Sequence, residues 1–225
     1  MELQKLSELS DADLERVYAA PSLPWLRVNM ISTVDGAATG PDGRTGGINN
    51  DADKRVFDTL RRLCDAVVVG AGTARDEGYR ESAKPLVLVS RSGRVPDRLR
   101  DATPGSVLMA TCAHADHLEE TRSLLGDGNV LVLGHYHVDL AELRRSLAER
   151  GLTHLLGEGG PHLLRDLLAE GVVDELDWTV APRLLAGDHP RITSGPPVDV
   201  PLRLGLLLEA EDTLLGRWFL KAPAG

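Results

Sequence analysis

Apolar positions along this chain follow two rhythms. Short runs such as Ala66-Val-Val-Val-Gly70 are apolar throughout, as in a parallel strand covered on both faces. The stretch from Asn50 to Leu63 instead sets Val56, Phe57, Leu60, Leu63 and Cys64 at helical spacing, with Asn50 placed to cap. The same reading predicts a helix over Ser10–Tyr18, opened by Ser-Asp-Ala-Asp, and a strand over Trp25–Ile31, where WLRVNMI alternates. Further strands are predicted at Leu86–Ser90, Val107–Thr111, Val130–Leu133, His154–Gly157 and Leu176–Ala181, with helices at Ala113–Leu125, Leu140–Arg150 and Pro161–Glu170 between them. Two closing runs, Leu202–Glu209 and Thr213–Leu220, flank an acidic turn and read as an antiparallel hairpin. Strand alternating with helix predicts an α/β fold with a mixed, mostly parallel sheet flanked by helices. No composition break divides the pattern, so residues 1–225 are expected to form a single domain, with 1–24 as a helical lead-in.

Composition narrows the classes. A formal net charge of −9 argues against a nucleic-acid or anionic-membrane binder, which needs a basic face to neutralise phosphates. No apolar stretch approaches the ~20 residues that span a bilayer, and the first residues lack the apolar block of a signal peptide. Two cysteines, Cys64 and Cys112, have no spacing that suggests a disulfide framework or a zinc site. The expectation is a cytoplasmic protein. Aromatic residues make up only 4%, so the core must be filled by Leu, Val and Ala.

In open α/β sheets ligands bind beyond the carboxyl ends of the strands, and four such ends carry suggestive residues. Gly70-Ala-Gly72-Thr73 follows a buried strand and lets backbone N–H groups approach a phosphate, although Arg75 stands where a dinucleotide fingerprint has its third glycine. Gly157-Glu158-Gly159-Gly160-Pro161 precedes a helix and offers unpaired donors beside a carboxylate, whose proton affinity an adjacent anion would raise. Ser90-Arg91-Ser92-Gly93-Arg94 could grip a phosphate such as the 2′-phosphate of NADP. Ser32-Thr-Val-Asp35-Gly36 opens a Gly-rich loop, and Asp-Gly is also a plain turn signal. The pairs His135/His137 and His114/His117 lack a third ligand, so no metal is expected. Glycine-rich and basic strand ends together fit a dinucleotide.

Asn29-Met-Ile-Ser-Thr-Val-Asp35-Gly36, the helix with Arg61, Val69-Gly-Ala-Gly-Thr73 and Glu158-Gly-Gly160 occur in an order that resembles the riboflavin-biosynthesis pyrimidine reductases. The resemblance runs from about Trp25 to the C-terminus. It implies a dihydrofolate-reductase-like three-layer fold, a homodimer, and reduction of a ribosylaminopyrimidine's ribosyl group to ribityl with NADPH. The zinc deaminase often fused to such reductases has no counterpart here, since no Pro-Cys-x-x-Cys is present. By position, the resemblance assigns Ile31, Thr73, Glu77, Ser90 and Gly159, Gly160, Pro161, His162 and Leu163 to the cofactor, with Gly70, Gly72 and Arg91 added from the strand-end motifs. Asn29, Asp35, Thr45, Arg61 and Glu158 fall toward the substrate, and Glu158 is the catalytic candidate. Gly160→Asp is expected to block the cofactor with the fold intact.

Two departures from the pattern concern the substrate. Asp76-Glu77-Gly78-Tyr79-Arg80 replaces the usual continuation after Thr73, and a phosphate-contacting arginine is missing unless Arg80 or Lys84 serves. A pteridine reductase of the dihydrofolate reductase type, or a nucleotide-binding paralogue without catalysis, are the competing expectations.

Overall fold

The structure is a computed structural model that describes residues 3–220. The chain opens with a two-residue strand β1 (Gln4–Lys5), helix α1 (Asp11–Val17) and strand β2 (Trp25–Thr33). After the Gly-rich loop come α2 (Asp51–Leu63), β3 (Ala66–Gly70), α3 (Ala71–Asp76), β4 (Leu86–Val89), β5 (Val107–Thr111) and α4 (Leu118–Leu125). Then follow β6 (Val130–Val132), α5 (Leu140–Glu149), β7 (His154–Gly157), α6 (Pro161–Ala169), β8 (Glu175–Ala181) and the hairpin β9 (Leu202–Ala210) and β10 (Thr213–Leu220). Among the described residues the strands form one sheet in the order β1-β9-β10-β8-β2-β7-β3-β4-β5-β6. Strand β10 runs antiparallel to both of its neighbours, and the other pairings are parallel. This is the mixed three-layer arrangement expected from the alternation of elements.

The apolar runs are buried on both faces because helices cover both. On β3, Val67 and Val69 pack under α1, α2 and α3, whereas Ala66 and Val68 pack over α5 and α6. Leu86 and Leu88 against Val87, and Val107 and Met109 against Leu108, divide in the same way on β4 and β5. Helix α2 starts where expected: the Asn50 side chain accepts from the Asp53 N–H, satisfying one orphan donor of the first turn. The hairpin turn holds Glu211 and Asp212 at φ of 52° and 63°, the left-handed geometry that a tight two-residue hairpin requires.

Three local expectations change. The helix expected from Ala113 begins only at Leu118, because His114 N–H donates instead to the His135 carbonyl beside it. Ser32 and Thr33, read as loop, are buried residues of β2. The polar pair Gln4–Lys5 adds a parallel edge to β9 that no apolar pattern announces.

Strand β2 also carries a residue that alternation would have placed in solvent. Arg27 is fully buried, as are Glu175 and Asp177 on β8. Glu175 accepts from Arg217 Nη2 at 2.7 Å and from Trp25 Nε1 at 3.0 Å, and its other oxygen lies 3.3 Å from Arg27 Nη2. The two guanidinium groups also donate to the carbonyls of Val17, Tyr18 and Ala19 at the end of α1. Cations are favoured at a helix C-terminus, so this network fastens α1 to the sheet. Burial and the neighbouring Glu175 charge push the Asp177 carboxyl well above the usual carboxylate range. Arg217→Met should cost about 3–5 kcal/mol in urea unfolding, because it leaves part of a buried charge network without its counter-ion.

Candidate functional site

The carboxyl ends of β2, β7, β3 and β4 lie side by side along one edge of the sheet. The two glycine-rich strand ends meet there backbone to backbone. Gly70 N–H donates to the Gly159 carbonyl at 2.9 Å, and Glu158 N–H donates to the Val68 carbonyl at 2.9 Å. A Cβ added to Gly160 would lie 2.2 Å from Thr73 Oγ1, so only glycine lets β7's loop close on α3. The expectation that Gly160→Asp spares the fold is therefore corrected: any side chain there collides with Thr73 before it meets a ligand.

Beyond Gly160, helix α6 begins with Pro161 at its first turn and no side chain capping it. The first N–H groups of a helix have no intrahelical partner, so those of His162 and Leu163 remain as donors at this edge. Next along the edge, Ser90 Oγ accepts from Gly93 N–H at 3.1 Å and sits 3.3 Å from Ser92 Oγ. Arg91 and Arg94 are exposed, and among the described residues neither side chain has an ion-pair partner. Gly72 is exposed beside them on α3, and Ile31 is buried on β2 against Ile48 and Ala181.

The substrate candidates Arg61 and Glu158 bond to each other. Arg61 Nε and Nη2 donate to the two oxygens of Glu158, each at 2.7 Å, and Tyr79 Oη donates to Oε2 at 2.7 Å. Glu158 is 9% exposed, so a buried carboxylate is fixed by three donors from α2 and from the segment after α3. The charge beside Glu158 is the Arg61 guanidinium. Glu158 raises Arg61 further in return, and Arg61 lies over the Phe57 ring at 4.6 Å. Burial and the facing Glu158 push the Tyr79 hydroxyl well above its ordinary value.

Tyr79 was not among the sequence candidates, although its cause is visible in the sequence. Gly78, at φ 73°, ends α3: its N–H returns to the Arg75 carbonyl and the Tyr79 N–H to that of Ala74. This helix stop turns Tyr79 back over the sheet. Just before it, Glu77 accepts from the Thr45 N–H at 3.1 Å and ties the Gly-rich loop to the end of α3.

Asp35 ties the end of β2 to the segment after β8. Its carboxylate accepts from Leu185 N–H at 3.0 Å, Ala186 N–H at 2.7 Å and the Thr33 hydroxyl, and these bonds lower it to about 2. Asn29, half-buried, lies opposite Asp177 on β8, and on its other side the β2–β7 register, which pairs Val28 with Gly157, brings it level with Glu158. Lys84 reaches the Arg62 carbonyl at 3.3 Å, and Arg80 is exposed. One further carboxyl was missed. Asp53, two turns before Arg61 on α2, is 4% exposed; burial raises it above 3.8, and a hydrogen bond with Thr179 opposes the shift.

Tyr79→Phe should cost about 1–2 kcal/mol in thermal or urea unfolding, since it strips one donor from a buried carboxylate. For Asp53, a raised folded value means that its contribution to stability is complete below 3.8 and is lost as pH rises through the folded value. Asp53→Asn should therefore gain melting temperature over the parent as pH rises from about 4 to 7, with no gain in more acidic buffer.

In sequence and in fold, the chain is similar to known proteins. Residues 24–212 fit the profile of the RibD C-terminal domain. The chain is 30% identical over 181 residues to the 2,5-diamino-6-ribosylamino-4(3H)-pyrimidinone 5′-phosphate reductase of Methanothermobacter thermautotrophicus, covering 75% of this chain and 82% of that one. The protein of the same name from Archaeoglobus fulgidus is 26% identical over 190 residues, covering 76% and 87%. In fold, the chain superposes on a pyrimidine reductase-like protein from Corynebacterium diphtheriae with a TM-score of 0.80 at 24% identity, over 95% of this chain and 100% of that one. With residues 24–212 matched to the family profile and a 30% identical relative over most of its length, this chain belongs to the RibD C-terminal domain family.

Proposed function

We propose that this chain is an NADPH-dependent reductase of a phosphorylated ribosylaminopyrimidine, converting its ribosyl group to ribityl in riboflavin biosynthesis. The observation that carries the reading is the Glu158 cluster, set directly against the strand ends where Gly160 closes on Thr73. The two archaeal relatives, named as reductases of such a substrate, support the same chemistry.

The residues fit a dinucleotide. The glycine-lined closure of β7's loop on α3 keeps side chains out of the path of a diphosphate. The free N–H groups of His162 and Leu163 and the Thr73 hydroxyl would bind it, and Ser90 with Arg91 would hold a 2′-phosphate. When bound, NADPH supplies a hydride equivalent for C1′ of the open-chain imine, and one proton completes the secondary amine. Glu158 serves this reaction as a fixed acceptor. Held by Arg61 and Tyr79, it presents its remaining acceptor capacity to N–H donors of the pyrimidine and so sets the ring's orientation. Glu77 and Thr45 fasten the Gly-rich loop beside it, which limits the access of water. Fixing a ring in this way lowers the entropy lost on reaching the reactive geometry.

The test is NADPH oxidation followed at its own absorbance, with the ribosylaminopyrimidine phosphate in one arm and dihydrofolate in the other. Turnover of the first alone supports the reading. Turnover of dihydrofolate alone assigns the site to a pteridine, and turnover of neither refutes a reductase. Arg91→Ala should weaken NADPH about tenfold or more while leaving NADH nearly unchanged, because only the former carries the phosphate that a guanidinium grips. Equal losses in binding titrations would place that contact elsewhere.

A further inference from the structure

Past Ser90 and Arg91 the same sheet edge continues to the ends of β5 and β6, where three rings stand together. His114 and Tyr136 stack at 4.5 Å between centroids with planes 10° apart. His135 meets both edge-on, at 4.3 and 4.6 Å. All three residues are exposed, Tyr136 at 65%. In a chain that spends so few residues on rings, Tyr136 is the one exposed residue among the described Phe, Trp and Tyr.

Nothing in the core calls for this arrangement, yet the backbone holds it firmly. His114 N–H donates to the His135 carbonyl at 3.1 Å and Ala113 N–H to Gly134 at 3.1 Å. Gly134, at φ 80°, turns the segment so tightly that a Cβ would lie 2.3 Å from the His137 carbonyl. The ledge is also tied to the neighbouring strand end: His117 N–H donates to the Ser92 carbonyl at 2.9 Å, and Thr111 Oγ1 to the Ser90 carbonyl at 2.7 Å. The exposed Arg91 and Arg94 stand at this junction. Among the described residues, no group of three or more His, Cys, Asp or Glu side chains is placed to hold a metal ion.

We propose that His114, His135 and Tyr136 form the stacking platform for the adenine base of the nucleotide, extending the binding edge from β7 to β6. The inference rests on the dinucleotide reading above. From β3 to β6 is three strand spacings, roughly 14 Å, which leaves a diphosphate and a ribose between the Thr73 end and the rings. Flat π-faces beside a cationic phosphate grip suit a purine carrying a phosphorylated ribose.

The experiment titrates the full chain with NADPH and, separately, with reduced nicotinamide mononucleotide, which lacks the adenosine half. Tyr136→Ala and His114→Ala should each weaken NADPH about tenfold, leave the mononucleotide unchanged, and leave the melting temperature within a degree or so. Tyr136→Phe, which keeps the ring, should bind as the parent does. Parent-like NADPH affinity in both alanine variants overturns the platform while the dinucleotide reading stands. Equal weakening of NADPH and the mononucleotide also overturns it, since that pattern reports general damage. If the parent chain binds no NADPH at all, the dinucleotide reading falls and the platform falls with it.

Discussion

The carboxylate of Glu158 is where separate segments of this fold are made to agree. It arrives at the end of β7, on a strand flanked by β2 and β3, and its oxygens are taken by α2 through Arg61 and by the post-α3 segment through Tyr79. A buried carboxylate that lost these donors would bear a desolvation cost of several kcal/mol, roughly the scale of a domain's margin of stability. The position of α2 over the sheet, the sharp stop of α3 at Gly78 and the glycine run after Glu158 are all consistent with satisfying that one group. A site built on such a constraint is organised before any ligand arrives, which is what orienting a polar heterocycle requires.

The Arg27–Glu175–Arg217 network solves a different problem on the same face of the sheet. It holds the end of α1 by the carbonyls of Val17, Tyr18 and Ala19, and so fastens that helix to β2 and β10. Asp177 is tolerated there as a carboxyl driven toward its neutral form by burial and by Glu175. The network and the Glu158 cluster are neighbours across β2 and β7, but they share no hydrogen bond among the described residues. One holds the N-terminal helix and the other holds the strand ends.

Much of this was legible in the residues for a simple reason. Strands buried on both faces, such as Val67–Val69, must be apolar throughout, and glycine-rich strand ends announce a close backbone approach. The failures share a cause as well: they depend on partners distant in sequence. Arg27 reads as the polar side of an alternating strand until Glu175 and Arg217, far along the chain, supply its counter-charges. Ala113–His117 has helical spacing, yet His114 finds a better partner for its N–H in the next strand's loop. Tyr79 was hidden because a lone tyrosine after a short helix has no pattern, although Gly78 marked the turn that aims it. Asp35 reads as part of an Asp-Gly turn, yet two of its three donors, the N–H groups of Leu185 and Ala186, come from the segment after β8, and the third is the Thr33 hydroxyl on β2.

The net charge of −9 bears on all of these features. An acidic protein that takes a polyanionic cofactor must gather positive potential locally, against its own long-range field. Arg61 does not contribute to that potential at full value, because Glu158 neutralises it at 2.7 Å. Positive potential is also offered by the N-terminus of α6 and by Arg91 and Arg94, whose guanidinium groups have no ion-pair partner among the described residues. The two arginines lie beyond the end of β4 and the α6 N-terminus lies beyond β7, close to Glu158, which Arg61 reaches from α2. The arginines beyond β4 suit phosphates, whereas the Arg61–Glu158 pair offers hydrogen-bonding groups with little net charge. Screening by salt should therefore act most on the exposed arginines beyond β4 and less on the Arg61–Glu158 pair, whose carboxylate is buried although Arg61 is partly exposed.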